Sequence, residues 1–159
     1  MIEVKDLKKS FDTVEVLKGI STTMETGKVN LIIGQSGSGK TVFLKSLLNV
    51  YQPTSGEILF DGRDINKMSR DEKQILRSEI GTVFQGSALF DSMTVEENIA
   101  FPLDMFTNLT FREKKRRVLD VIGRVHLEKA NRKYPSEISG GMQKRVAIAR
   151  AIVNNPKYL

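Results

Sequence analysis

The sequence predicts an α/β fold in which a buried strand delivers the chain into a glycine-rich loop and a helix carries it away. Three observations predict it. Val29-Asn30-Leu31-Ile32-Ile33 is an apolar, β-branched run that feeds directly into Gly34-Gln35-Ser36-Gly37-Ser38-Gly39-Lys40-Thr41. Val42, Phe43, Leu44, Leu47 and Leu48 then recur at helical spacing. Further on, Ser69 with Glu72, Thr94 with Glu97 and Thr110 with Glu113 share the S/T-x-x-E spacing that starts a helix by reciprocal side-chain and backbone hydrogen bonds.

Taken in order, Ile2-Glu3-Val4 and Val14-Glu15-Val16-Leu17 read as short strands, and Gly27-Lys28 as a turn. The helix after the glycine-rich loop is expected to run until Pro53 forbids continuation. Gly56 to Phe60 is a strand closed by the Asp61-Gly62 turn. Ile80-Gly81-Thr82-Val83-Phe84-Gln85 reads as a strand ending in a glutamine. Helical patterning from Thr94 to about Arg132 is broken by Pro135. A last helix, about Gly140 to Val153, ends at Asn154-Asn155-Pro156.

Composition narrows the class. The chain has 159 residues and 40% hydrophobic content, the size and balance of one ordinary globular domain. No apolar run approaches the roughly 20 residues needed to span a bilayer, and the N-terminus lacks a secretory pattern, so a cytoplasmic location is expected. With no cysteine, disulfides and thiolate metal sites are excluded, and the single His126 cannot hold a metal alone. His126 reads as a half-exposed helix residue. Much of the net charge of +6 sits in Lys114-Lys115-Arg116-Arg117 with Arg112 and Arg124, which reads as a solvated helix face, at most a minor membrane-facing patch, and not as a nucleic-acid surface.

The run from Gly34 to Thr41 matches G-x-x-x-x-G-K-[ST]. Glycines at Gly34, Gly37 and Gly39 let backbone N–H groups converge on phosphate oxygens, and Gln35, Ser36, Ser38 and Val42 complete the loop and first turn. Lys40 is placed to reach the β- and γ-phosphates, and the Thr41 hydroxyl to ligate Mg²⁺. A second phosphate-seeking element lies about a hundred residues on. Ser139-Gly140-Gly141-Met142 opens a helix with a capping hydroxyl and bare amides at the positive end of its dipole. One chain cannot easily bring both to one phosphate, so the second is expected to serve a partner subunit.

With these residues in order the chain resembles the ATP-binding cassettes, P-loop NTPases, over its whole length. The resemblance implies that Phe11 stacks on adenine and that Gln85 contacts Mg²⁺ and the attacking water, giving Lys40 and Gln85 catalytic roles. It implies two cassettes paired head to tail on two ATP, beneath a membrane permease, on the inner face of the cell membrane. Ile138 and Met142 depart from the commonest signature, Leu-Ser-Gly-Gly-Gln. Together with Gly86-Ser87-Ala88-Leu89-Phe90 and Met93 to Leu103 they resemble the ATPases of Mla-type, Mce-associated phospholipid transporters.

The same resemblance sets the expected organisation: residues 1–90 as an antiparallel β portion with the P-loop core, about 91–138 as a helical insertion, and 139–153 as the signature helix of a single, C-terminally truncated domain. The hydrolytic Asp-Glu pair, the switch histidine and the core strands that bear them are expected beyond Leu159. The strands at 29–33 and 80–85 would then lack their intervening partners, and the chain alone would be inactive in hydrolysis. Three readings stay open: a transporter ATPase, for lipid or for another substrate; a nucleotide-binding module without hydrolysis; and a soluble cassette acting on ribosomes or DNA. The last usually carries tandem cassettes or zinc insertions, absent here.

Overall fold

The computed structural model describes residues 1–159, which divide into two compact units, Met1–Lys73 and Gln74–Leu159. The first unit holds a four-stranded antiparallel sheet in the order β2-β1-β3-β4, built from β1 (Ile2–Phe11), β2 (Val14–Met24), β3 (Ser55–Phe60) and β4 (Arg63–Asp64). Val4 and Leu7 of β1, Leu17 of β2, and Ile58 and Phe60 of β3 are buried. A register shift between Val4 and Leu7, with Asp6 at φ 45°, returns Leu7 to the apolar face. The hairpin to β4 turns at Asp61 (φ 48°) and Gly62 (φ 77°), the two positive φ values that an Asp-Gly pair supplies to a tight turn.

α1 (Lys40–Leu47) buries Phe43 and Leu47. It stops well before Pro53. Asn49 takes φ 54°, its amide donates to the Ser46 carbonyl at 3.0 Å, and the Val50 amide donates to the Lys45 carbonyl at 2.9 Å. This is the left-handed closure that satisfies a helix's last carbonyls, and Asn tolerates it better than most residues.

The division between the units falls inside α2 (Arg70–Ser78). The second unit is helical: α3 (Val95–Phe106), α4 (Phe111–Arg124), a 3-10 turn at Pro135–Glu137, and α5 (Gly140–Ile152). Its core joins Val95, Ile99 and Leu103 of α3, Val118, Val121 and Ile122 of α4, and Val146 and Ala149 of α5. All three capping boxes form. Thr94 Oγ1 accepts from the Glu97 amide at 3.3 Å while the Thr94 amide donates to Glu97 Oε2 at 2.7 Å, and Thr110–Glu113 and Ser69–Glu72 repeat the pattern.

Three further expectations are corrected. Residues 29–33 form no strand, and Val29, Leu31 and Ile33 are 98%, 82% and 81% exposed. A strand exists only in a ladder, and the four-stranded sheet does not include this run. Of Ile80 to Gln85, Ile80 alone is paired, in a parallel bridge with Tyr158. His126 lies past the end of α4 at φ 54°, its amide donating to Gly123 O at 3.1 Å and the Leu127 amide to Ile122 O at 3.1 Å. It is a helix-terminating residue, exposed, and not part of a helix face.

Candidate functional site

In the first unit the glycine-rich loop turns at Ser36-Gly37 and enters α1 through Gly39. Gly37 and Gly39 take φ 81° and 91°, values that L side chains rarely adopt. At Gly39 space is limiting as well: a Cβ would come within 3.1 Å of Leu17 Cδ2 and 3.3 Å of the Val16 carbonyl. The loop therefore lies close against β2. No side chain caps the start of α1, and its first turn has no acidic residue. The positive end of the helix is left for an outside anion.

The Lys40 ammonium bridges the loop, donating to the Gly34 carbonyl at 2.8 Å and the Gln35 carbonyl at 2.6 Å. The Gln35 carbonyl also accepts from the Ser38 amide at 3.2 Å. Thr41 follows, exposed, as the second residue of α1, and Val42 is half-buried, its carbonyl accepting from the buried Ser46 hydroxyl at 2.9 Å. These residues fit a polyphosphate. A cation held by two neutral carbonyls exchanges them for anionic oxygens with a gain in charge-assisted hydrogen bonding. For Mg²⁺ the chain offers the Thr41 hydroxyl but no cluster of three or more carboxylates or imidazoles. That donor set suits an ion that keeps waters and binds through phosphates.

Phe11, at the end of β1, is 38% exposed. Its ring meets Tyr51 edge-on, and the Lys9 ammonium lies 4.9 Å from its centroid. Lys45 of α1 stands 5.2 Å over Tyr51 in turn. The first unit thus links Phe11, through Tyr51, to the helix that follows the phosphate loop. Tyr51 was not singled out in the sequence, since nothing local marks it as an aromatic partner of a residue forty positions earlier.

In the second unit Gln85 is exposed in a turn with Gly86. Ser139 caps α5, its hydroxyl accepting from the Met142 amide at 3.3 Å. Gly140 and Gly141 are exposed, while the Met142 side chain packs against the helical core. The Gln143 amide group donates to the Pro135 carbonyl at 2.9 Å, tying the signature to the 3-10 turn before it. Two buried polar side chains went unread in the sequence. Asn98 and Arg150 both bond to the stretch after Gln85.

A glycine-rich phosphate loop on an antiparallel β unit, with a Ser-Gly-Gly helix start in a separate helical unit, defines the P-loop nucleotide-binding cassette. The chain belongs to the ABC transporter family, whose profile matches residues 17–159. It is 40% identical over 158 residues to the probable ribonucleotide transport ATP-binding protein mkl of Mycobacterium tuberculosis (strain ATCC 25618 / H37Rv), covering 99% of this chain and 44% of that protein. To the cell division ATP-binding protein FtsE of Bacillus subtilis (strain 168) it is 41% identical over 157 residues, covering 98% and 68%. To the methionine import ATP-binding protein MetN 2 of Oceanobacillus iheyensis it is 37% identical, covering 100% and 47%. The chain therefore spans about half the length of several curated relatives it matches.

Among solved structures it resembles the dimeric structure of MJ0796, a bacterial ABC transporter cassette, with a TM-score of 0.89 at 34% identity over 98% of this chain and 71% of that one. It also resembles cbiO1 from Clostridium perfringens, part of the ABC transporter complex cbiONQ, with a TM-score of 0.85 at 32% identity over 98% and 62%. No helix of the chain is long and apolar enough to cross a membrane.

Proposed function

We propose that this chain is the nucleotide-binding part of a transporter ATPase that couples ATP binding and hydrolysis to movement of a lipid across a membrane. The single observation that carries the nucleotide-binding reading is the Lys40 ammonium bridging the loop at the uncapped start of α1. In this reading Gly34 to Val42 wrap the phosphates and Phe11 stacks on the base. Lys40 would neutralise the β- and γ-phosphates, and by the resemblance the Thr41 hydroxyl would ligate the metal and Gln85 would contact it. Mg²⁺, when bound, neutralises charge developing on the transferred phosphoryl group. Ser139, Gly140, Gly141 and Met142 close on the nucleotide of a second cassette, head to tail. A permease anchors the pair as peripheral subunits on the cytoplasmic face of the membrane.

Lipid as the cargo rests on the variant signature, Ile138-Ser139-Gly140-Gly141-Met142, on Gly86 to Phe90 and on Met93 to Leu103, which together resemble phospholipid-transporter ATPases. The relatives' printed names favour other cargoes for themselves: ribonucleotides for mkl and methionine for MetN 2. The test is turnover by the full-length protein with its permease in proteoliposomes. Lys40-dependent ATP hydrolysis coupled to redistribution of labelled phospholipid supports the reading. Hydrolysis that moves methionine or a nucleotide and no phospholipid overturns the cargo, and absence of Lys40-dependent ATP binding overturns the whole.

A further inference from the structure

Arg150 is the one charged side chain among the buried residues, 8% exposed on the third turn of α5. It faces no carboxylate. Its two terminal nitrogens donate to the Ser87 and Ala88 carbonyls, each at 2.8 Å, and its guanidinium lies 5.8 Å from the Phe90 centroid. A cation in such a place costs desolvation that an apolar residue of like size would not, so its retention needs a reason beyond filling space.

The reason lies in the backbone it holds. Ser87 and Ala88 take φ 61° and 47°, two consecutive left-handed residues neither of which is glycine. In that conformation both carbonyls converge on one buried spot, where they would repel each other without a cation between them. A planar guanidinium satisfies both at once, which a lysine ammonium does less well. Downstream, the fully buried Asn98 accepts from the Phe90 amide at 2.9 Å. It also donates to the carbonyls of Phe90, Met93 and Thr94 at 3.0 to 3.1 Å. The segment that follows Gln85 is pinned to α5 at one end and to α3 at the other.

We propose that Arg150 is a positioning residue for Gln85. By fixing the Ser87 and Ala88 carbonyls it locks the glutamine's turn to the helix that opens at Ser139, so the glutamine and the signature move as one piece. The inference rests on the proposed role of Gln85 in hydrolysis.

The test uses the full-length protein in four forms: parent, Arg150→Lys, Gln85→Ala and the double variant. Turnover and amide hydrogen exchange are both measured. Arg150→Lys should lower kcat about tenfold with KM for ATP little changed, and the double variant should be no slower than Gln85→Ala, the non-additivity expected of residues acting as one unit. Amides of residues 85–90 should exchange faster in Arg150→Lys, while those of residues 34–41 and the first turn of α5 keep their parent rates. Ala88→Val, whose β-branched side chain disfavours the left-handed turn without touching α5, should reproduce the pattern more weakly, and it serves if the arginine variant does not fold. Additive losses in kcat, or unchanged exchange at 85–90, overturn the proposal. If Gln85→Ala itself turns over normally, the role given to Gln85 fails, and the exchange rates still decide whether Arg150 holds the turn.

Discussion

The rings of Phe11 and Tyr51 meet edge to face, with centroids 5.2 Å apart and planes at 81°. Tyr51 lies just after α1 and Phe11 at the end of β1, so the pair fixes an aromatic platform relative to the helix that starts at Lys40. If Phe11 stacks on adenine, Phe11→Ala should weaken ATP binding about five- to tenfold, in line with ~1 kcal/mol for an aromatic contact. Tyr51→Leu should weaken it less, because it removes the support and keeps the platform. Titration with a fluorescent ATP analogue measures both. Equal affinity in parent and Phe11→Ala would remove the ring from the site.

Gly39 is the least replaceable residue of the loop. Alanine there must adopt φ 91° at a cost of about 1–2 kcal/mol, and its methyl would press on Leu17 and Val16. Gly39→Ala should lower the melting temperature and ATP affinity together. At Gly37, also left-handed, nothing lies within 4 Å of a Cβ. Gly37→Ala should therefore show the backbone cost alone, a smaller loss on both measurements. Comparing the two variants by thermal unfolding with and without ATP checks the order.

The signature behaves differently. A Cβ at Gly141 would meet nothing nearer than Ser139 Oγ at 4.0 Å, so Gly141→Asp fits the folded chain. It should leave ATP binding by the monomer nearly intact and block ATP-driven pairing by bulk and like-charge repulsion. Ser139→Ala, by contrast, removes the α5 cap and should destabilise the fold by about 1 kcal/mol. Size-exclusion chromatography of the full-length protein with and without ATP reads the pairing. Equal loss of monomer binding in Gly141→Asp would mean that the signature serves its own chain.

The capping boxes carry a pH dependence. The Thr94 amide and hydroxyl hold the Glu97 carboxyl below its ordinary range, and the Thr110 hydroxyl and amide do the same for Glu113. A folded-state value below the unfolded one contributes stability that is present at neutral pH and is lost as pH falls from about 4.3 through the lowered values. Helix content should fall on that acid limb. Glu97→Gln and Glu113→Gln, which retain an acceptor but do not titrate, should flatten it in a circular-dichroism titration. An unchanged acid limb in the double variant would place the titration elsewhere.

Reciprocal side-chain pairs closed within four residues were legible in the sequence, whereas left-handed helix ends and features closed over long distances were not. Thr94 with Glu97 and Thr110 with Glu113 could be read because each box is a reciprocal pair that needs no third element. The phosphate loop could be read because its glycines and Lys40 act through their own backbone. Val29 to Ile33 reads as a strand from its apolar, β-branched run, but a strand needs a ladder, the partners of this one are expected beyond Leu159, and the run lies exposed and unpaired. The end of α1 was assigned to Pro53 when Asn49 closes it first, because asparagine's tolerance of left-handed φ is a weaker signal than proline's prohibition. Arg150 lay in plain sight on a helix that also carries Lys144 and Arg145. Only folding brings it to carbonyls more than sixty residues away.

Every role proposed for the site depends on Gly34 to Thr41 binding the phosphates of ATP through Lys40. Equilibrium binding of Mg²⁺–ATP to the full-length protein, parent against Lys40→Ala, tests it most directly. Loss of the cation should weaken binding about tenfold or more, at least ~1.4 kcal/mol, with the melting temperature in the absence of nucleotide little changed. Parent and variant binding Mg²⁺–ATP with the same affinity would contradict the account.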